Sequence, residues 1–279
     1  MSCTRTLLLT VLAMVAFAGN SLLCREALRH TDIDPASFTA LRLLSGALAL
    51  GLIVRLRDGS FSTAGSWPSA LALFGYAAGF SFAYVNLPAA TGALLLFGAV
   101  QATMIGYGLW RGAHLRPWQV VGLVVALGGL TGLVLPGLAA PPLGGAALMV
   151  GAGIAWGIYS LRGRQTGDPT TVTAGNFLKS VPMAAALSLI FLPGSWPDVA
   201  GCWYALASGA LASGVGYAVW YTALRGLSAT SAATVQLSVP VLAAAGGVIF
   251  LGEVVTLRLV ISAVAILGGI ALVMAARNT

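Results

Sequence analysis

Charge is what this sequence lacks. Only 8% of its 279 residues are Asp, Glu, Lys or Arg, 58% are hydrophobic, and the mean hydropathy is +0.94. A soluble domain carries about 25% charged residues, so this chain has too few to coat a water-facing surface. That excludes a soluble enzyme and a disordered protein. No polar stretch is long enough for a large extramembrane domain. Cysteine is scarce too: Cys3, Cys24 and Cys202 are odd in number and share no metal or redox spacing. A disulfide framework is not expected. The two histidines, His30 and His114, form no metal set, so the sequence calls for no metal and no cofactor. The net charge of +7 comes from basic residues scattered singly or in pairs, with no basic stripe, so nucleic acid is not an expected partner. What remains is an all-α polytopic membrane protein whose partner is the lipid bilayer.

A membrane span needs about 20 apolar residues. Residues 6–24 supply one and residues 35–54 a second, interrupted by Arg42. The uncharged run 59–110 is too long for one helix and breaks at Asn86-Leu87-Pro88. Residues 117–161 hold two more, parted by Pro136 and Pro141-Pro142. Residues 170–192 make a seventh, interrupted by Lys179 and ended by Pro193-Gly194. Residues 199–224, 226–251 and 257–276 complete ten transmembrane helices. With the N-terminus inside, one side receives Arg5, Arg55, Arg57, Arg111, Arg116, Arg162, Arg164, Arg225 and Arg277, the other only Arg25, Arg29 and Arg258. The positive-inside rule then puts both termini in the cytoplasm of a multi-pass inner (plasma) membrane protein. A competing reading takes Arg5, Leu7–Val15 and Ala16-Phe17-Ala18 as a cleaved signal peptide. Cleavage would leave nine helices.

Residues 83–133 align without a gap with residues 223–273, matching Gly106 to Gly246, Gly112 to Gly252 and Gly128-Gly129 to Gly268-Gly269. At a slightly smaller offset Arg42 falls on Lys179. The chain therefore reads as two five-helix repeats, residues 1–137 and 141–279. Five is odd, so the second repeat enters the membrane inverted. Inverted repeats are the architecture of alternating-access transporters, with the substrate site near mid-membrane between the halves.

This pattern resembles the drug/metabolite transporter superfamily, EamA type. The second half carries the better match: small residues from Ala232, Pro240, then Phe250-Leu251-Gly252-Glu253, with Gly268-Gly269 in the last helix. In the first half Pro35, Phe38 and Arg42 resemble the family's opening of helix 2; in the second, Trp156-Gly157 resembles its helix 6. Val100 stands where the second half has Pro240, and Ala113 where it has Glu253, so the first half has drifted. Within the superfamily the chain is most similar to the aromatic amino-acid exporter branch, which implies export of aromatic and other neutral amino acids.

Candidate substrate-binding residues follow from polarity at depth. Lys179 lies about nine residues, roughly 13 Å, into helix 7, too deep to snorkel easily. Arg42 lies nearer a surface. Helix 3 carries Tyr76 and Phe80 on one face, helix 8 carries Tyr217, and helix 6 carries Trp156 with Tyr159. Asn20, Gln101, Gln236 and Ser238 are polar groups that lipid would not tolerate unpartnered, and Pro240 frees carbonyls beside the last two. The other tryptophans, Trp220 among them, read as interfacial belts. Helices 1, 3, 4, 6, 8 and 9 are expected to line the path. Helices 5 and 10 are expected to pack outside it, with a second copy of the chain as a candidate partner.

No carboxylate lies deep in an apolar run, so strong proton coupling is not evident. The expected function is export of a small-molecule substrate, amino acids in the first place. The alternative is a sugar-phosphate or nucleotide-sugar antiporter, or a drug exporter, of the same superfamily. Phosphate recognition wants clustered cations, and only Lys179 and Arg42 are on offer. A membrane enzyme would need a nucleophile–base pair or a metal set, and a channel a charged or carbonyl-rich filter. Neither is present.

Overall fold

The computed structural model describes residues 2–59, 64–112, 116–135, 140–163, 168–191, 198–227, 232 and 235–275. Ten helices run through them: α1 (Cys3–His30), α2 (Pro35–Asp58), α3 (Trp67–Tyr84), α4 (Ala89–Trp110), α5 (Pro117–Val134), α6 (Leu143–Gly163), α7 (Pro169–Ile190), α8 (Val199–Leu224), α9 (Ser238–Leu251) and α10 (Leu257–Ala275). Seven of these, all but α3, α7 and α9, are long and apolar enough to cross a membrane.

The scarce acids start the helices. Asp34 accepts from the backbone N–H groups of Ala36 and Ser37, Asp168 from Thr171 and Asp198 from Gly201, each satisfying donors that a helix start leaves open. Pro35 and Pro169 follow two of these caps, where a missing N–H costs nothing. Gly252 ends α9 at φ +61°, the left-handed turn that glycine adopts without strain. Pro193-Gly194, read as the end of helix 7, lies outside the described residues, as does Pro136.

Two boundaries depart from the sequence reading. Helix α1 continues past residue 24 to His30, carrying Arg25 inside it. The ninth helix is broken: Val235 and Gln236 are helical, Leu237 is a turn, and α9 proper starts at Ser238. Pro240 cannot donate to the carbonyl four residues back, at Gln236, and the chain breaks there.

The packing is two-fold in pattern. Helix α3 lies on α6 and α8 on α1; α4 lies on α6 and α9 on α1; α3 touches α7 and α8 touches α2. Each contact recurs with the halves exchanged. The pairs α2–α7, α4–α9 and α5–α10 map onto themselves. Self-mapped pairs reveal the orientation. Gln119, early in α5, donates to the Val273 carbonyl late in α10, while Arg258, early in α10, donates to Gly132 late in α5. Ser188, late in α7, donates to Ala36 early in α2, and Arg57, late in α2, meets Thr171 early in α7. Equivalent helices run antiparallel, so the two repeats are inverted. Along the α5–α10 seam a Cβ on Gly122 would strike the Gly269 carbonyl, and one on Gly269 the Gly122 carbonyl. Gly122 and Gly269 let the two backbones touch there.

Candidate functional site

The helix ends that carry Arg55, Arg57, Arg111, Arg116, Arg162 and Arg225 form one basic end of the molecule. From it a cavity of about 570 Å³ extends to mid-depth between the halves. Its walls are Phe17 of α1; Val100, Gln101 and Met104 of α4; Trp156, Tyr159 and Ser160 of α6; Tyr217, Trp220 and Tyr221 of α8; and Gln236 ahead of α9. A void of about 20 Å³ continues it inward, bounded by Asn20, Tyr76 and Phe80 together with Phe17, Trp156, Tyr217 and Gln236. Neither α5 nor α10 contributes. Among the described residues no Asp, Glu, Lys or Arg lines either space.

Trp156 is the hub of the aromatic wall. Its ring centroid lies 4.8 Å from that of Tyr76, 5.2 Å from Tyr217 and 5.3 Å from Tyr159, which it stacks on. Phe17 sets its ring edge-on to both Tyr217 and Trp220. Offset and edge-on contacts of this kind fix ring positions, each by about 0.5–1.5 kcal/mol.

Behind the rings runs a polar network. Asn20 Nδ2 donates to the Tyr76 hydroxyl at 3.3 Å, and Ser208 donates to Asn20 Oδ1 at 2.6 Å. Arg42 Nη2 donates to the same Tyr76 hydroxyl at 2.9 Å, and its Nε to Ser213 Oγ at 3.4 Å. Arg42 is 1% exposed, with its guanidinium 5.1 Å from the Tyr76 ring centroid and 4.8 Å from that of Phe80. Ser208 and Ser213 both belong to a π-helical stretch of α8, Ser208–Val215, whose wider turn presses Gly209 against the Arg42 carbonyl. Such stretches concentrate at functional sites. A second network joins Tyr159, Thr173, Tyr221 and Asn176, and Asn176 accepts the Ser66 N–H.

The predicted residues divide cleanly. Asn20, Tyr76, Phe80, Gln101, Trp156, Tyr159, Tyr217 and Gln236 come together around the cavity. Lys179 and Ser238 do not. Lys179 Nζ donates to the carbonyls of Ala64 and Gly65, because the segment before α3 folds down along α7 to meet it. Ser238 is exposed and donates to Val235. Of the tryptophans read as belts, Trp67, Trp110, Trp118 and Trp203 are exposed, Trp220 is instead buried and lines the cavity, and Trp196 lies outside the described residues. Phe17 and Trp220 were missed because hydropathy cannot separate an aromatic facing lipid from one facing a cavity.

The opposite end is shut. Arg25 Nε meets Glu253 Oε1 at 3.4 Å, both side chains being under a tenth exposed. Arg25 Nη1 also donates to the carbonyls of Tyr84 and Val85, at 2.8 and 2.9 Å. Both Glu253 oxygens accept from the Ala89 N–H, at 3.0 and 2.8 Å, so the carboxylate sits on the positive end of α4. The left-handed Gly252 aims Glu253 there. One ion pair thus fastens α1, the α3–α4 turn and the turn after α9. At the basic end, among the described residues, the cavity mouth has an exposed clasp in which Arg57 and Arg225 meet Asp168 at 2.8 and 3.5 Å beside Pro169. Partial burial pushes the Asp168 carboxyl up, but hydrogen bonds from Arg57 and Thr171 outweigh it and bring it down to about 2.

The sequence profile of the EamA-like transporter family matches residues 4–135 and again residues 143–275. The chain belongs to this family. It is therefore a small-molecule membrane transporter and not an enzyme. An uncharacterized protein of Pseudomonas aeruginosa, PA1977, is 60% identical over 98% of this chain and 96% of its own length. The threonine/homoserine exporter RhtA of Escherichia coli K12 is 33% identical over 153 residues, half of this chain and 49% of RhtA. The uncharacterized transporter YoaV of Bacillus subtilis is 25% identical over 86% of this chain and 87% of its own length. A crystal structure sharing 21% identity superposes with TM-score 0.69 over 99% of both chains, which shows the same fold for this EamA-like transporter.

Proposed function

We propose that this transporter exports neutral amino acids, aromatic ones among them, across the cell inner membrane by alternating access between the repeats 1–137 and 141–279. The observation that carries the reading is the wall of the central cavity. Trp156, Tyr159, Tyr217, Trp220 and Phe17 offer ring faces, Gln101 and Gln236 offer amides, and no described charged residue lines it. Such a wall takes an apolar or aromatic side chain and solvates a zwitterion through dipoles. The similarity to RhtA, a threonine/homoserine exporter, supports the same class. The basic end is the cytoplasmic end by the positive-inside rule, so the cavity faces the side from which an exporter loads. A phosphorylated substrate would need cations in the wall, and the described wall has none. The test is counterflow in liposomes holding the purified protein, with phenylalanine, threonine, a hexose phosphate and a cationic dye as a panel. Exchange of the amino acids alone is expected. Exchange of the phosphosugar or the dye, with none of the amino acids, would overturn the reading.

A further inference from the structure

We propose that Arg42 is a carboxylate subsite, closed off in this state by the Tyr76 and Phe80 rings and reached by the substrate when those rings turn. The inference rests on the amino-acid reading above for its substrate and names the group that would receive the acid end. Among the described residues Arg42 is the largest fully buried side chain. Its Nη1 is buried with no hydrogen-bond partner, and none of the ion pairs among the described residues includes it. Its neighbours are a tyrosine hydroxyl, a serine hydroxyl and two ring faces, all neutral. Two ring faces and two hydroxyls, one on Nε and one on Nη2, hold the guanidinium in place but leave its charge unanswered. A guanidinium edge with one free nitrogen and one bonded to a displaceable hydroxyl presents the parallel fork that a carboxylate takes bidentately.

The surroundings suit that role. Tyr76 and Phe80, the two rings that cover Arg42, also bound the inner void that continues the central cavity. Tyr76 is tethered on its other side by Asn20, itself held by Ser208. If the Tyr76 ring turns away, Nη2 is freed beside Nη1 and Asn20 Nδ2 is left aimed at the same spot. Three donors then converge on one point at the inner limit of the void. The amino acid would lie with its side chain among Trp156, Tyr159 and Tyr217 and its carboxylate on Arg42.

The experiment compares L-phenylalanine with L-phenylalaninamide, which lacks the carboxylate, and with 3-phenylpropionate, which lacks the ammonium. Uptake into liposomes and the melting temperature of the detergent-solubilised protein are read for the wild type, Arg42→Gln and Arg42→Lys. The wild type is expected to take phenylalanine at least tenfold faster than the amide and to be stabilised by 3-phenylpropionate. Arg42→Gln should bring the ratio near one and abolish the stabilisation. A ratio within one variant does not depend on how much protein folds. If Arg42→Gln does not fold, Arg42→Lys decides: a point charge cannot form the fork, so its ratio should fall several-fold. Amino-acid transport with an unchanged ratio in the variants would overturn the Arg42 subsite and leave the proposed function standing. Arg42-dependent uptake of 3-phenylpropionate without any amino-acid transport would do the reverse. A wild type with no preference for carboxylates overturns the subsite outright.

Discussion

At the scale of residues, Trp156 and Lys179 separate path from scaffold. Trp156 touches three aromatic neighbours and faces the cavity. Trp156→Ala should lower uptake at limiting substrate by tenfold or more, and Trp156→Phe should keep most of it. Unchanged uptake by the alanine variant at matched protein would remove Trp156 from the binding wall. Lys179 holds the Ala64 and Gly65 carbonyls. A charged hydrogen bond of this kind contributes about 1.5–3 kcal/mol. Lys179→Ala should therefore lower the melting temperature while leaving substrate discrimination intact. Altered discrimination at full stability would put it on the path. The sequence showed two intramembrane cations, Arg42 and Lys179, and ranked Lys179 higher by depth. Depth is a distance along one helix. It does not encode which neighbour lies around the circumference, and here that neighbour is a folded-down loop for one cation and a ring of tyrosine and phenylalanine for the other.

At the scale of elements, the two ends of the cavity are fastened differently. The shut end rests on a buried ion pair seated on a helix start, and breaking such a pair by removing one partner costs about 3–5 kcal/mol. Glu253→Gln keeps an acceptor for the Ala89 N–H but loses the charge that holds Arg25. In that variant a cysteine placed at Ala90 should react faster with an impermeant thiol reagent added from outside. No change in rate would show that the Arg25–Glu253 pair does not hold the seal. The basic end relies on the Asp168 clasp, whose carboxyl is depressed to about 2. A depressed carboxylate contributes stability that is present above its unfolded value, near 4, and lost as pH falls toward 2. Half-exposed and screened, it adds little, which suits an end that must open. The asymmetry was partly legible: Glu253 has Ala113 as its counterpart, an alanine that brings no carboxylate. The π-helical stretch of α8 was not legible, since Ser208–Val215 reads as any run of small residues.

For the whole molecule, the inverted repeats predict a topology. Single cysteines near residue 194 should be labelled from outside the cell, and single cysteines near Asp168 should not. Labelling at Asp168 from outside would reverse the orientation drawn from the basic bias. The α5–α10 seam lies away from the cavity, and its antiparallel backbones meet at Gly122 and Gly269. Gly269→Val should lower stability by about 1–3 kcal/mol through overpacking, read as a lower melting temperature. Substrate affinity per folded molecule should stay the same. A changed affinity would tie the seam to the path.

The sequence by itself determined the membrane class, the ten helices, the repeat and its inversion. These depend on composition, hydrophobic length and an odd helix count, all of which are local or periodic along the chain. Eight of its ten candidate site residues also fall at the cavity or the void behind it, because polar and aromatic residues at lipid depth have few places to go. Only the tertiary structure decided that Trp220 and Phe17 face inward, that Arg42 sits behind Tyr76 and Phe80, that Lys179 serves a loop, and that the end opposite the basic one is closed. Each of these depends on the rotation of one helix against another and on contacts between residues as far apart as Arg25 and Glu253. Packing sets those relations after the helices exist, and no spacing along the chain records them.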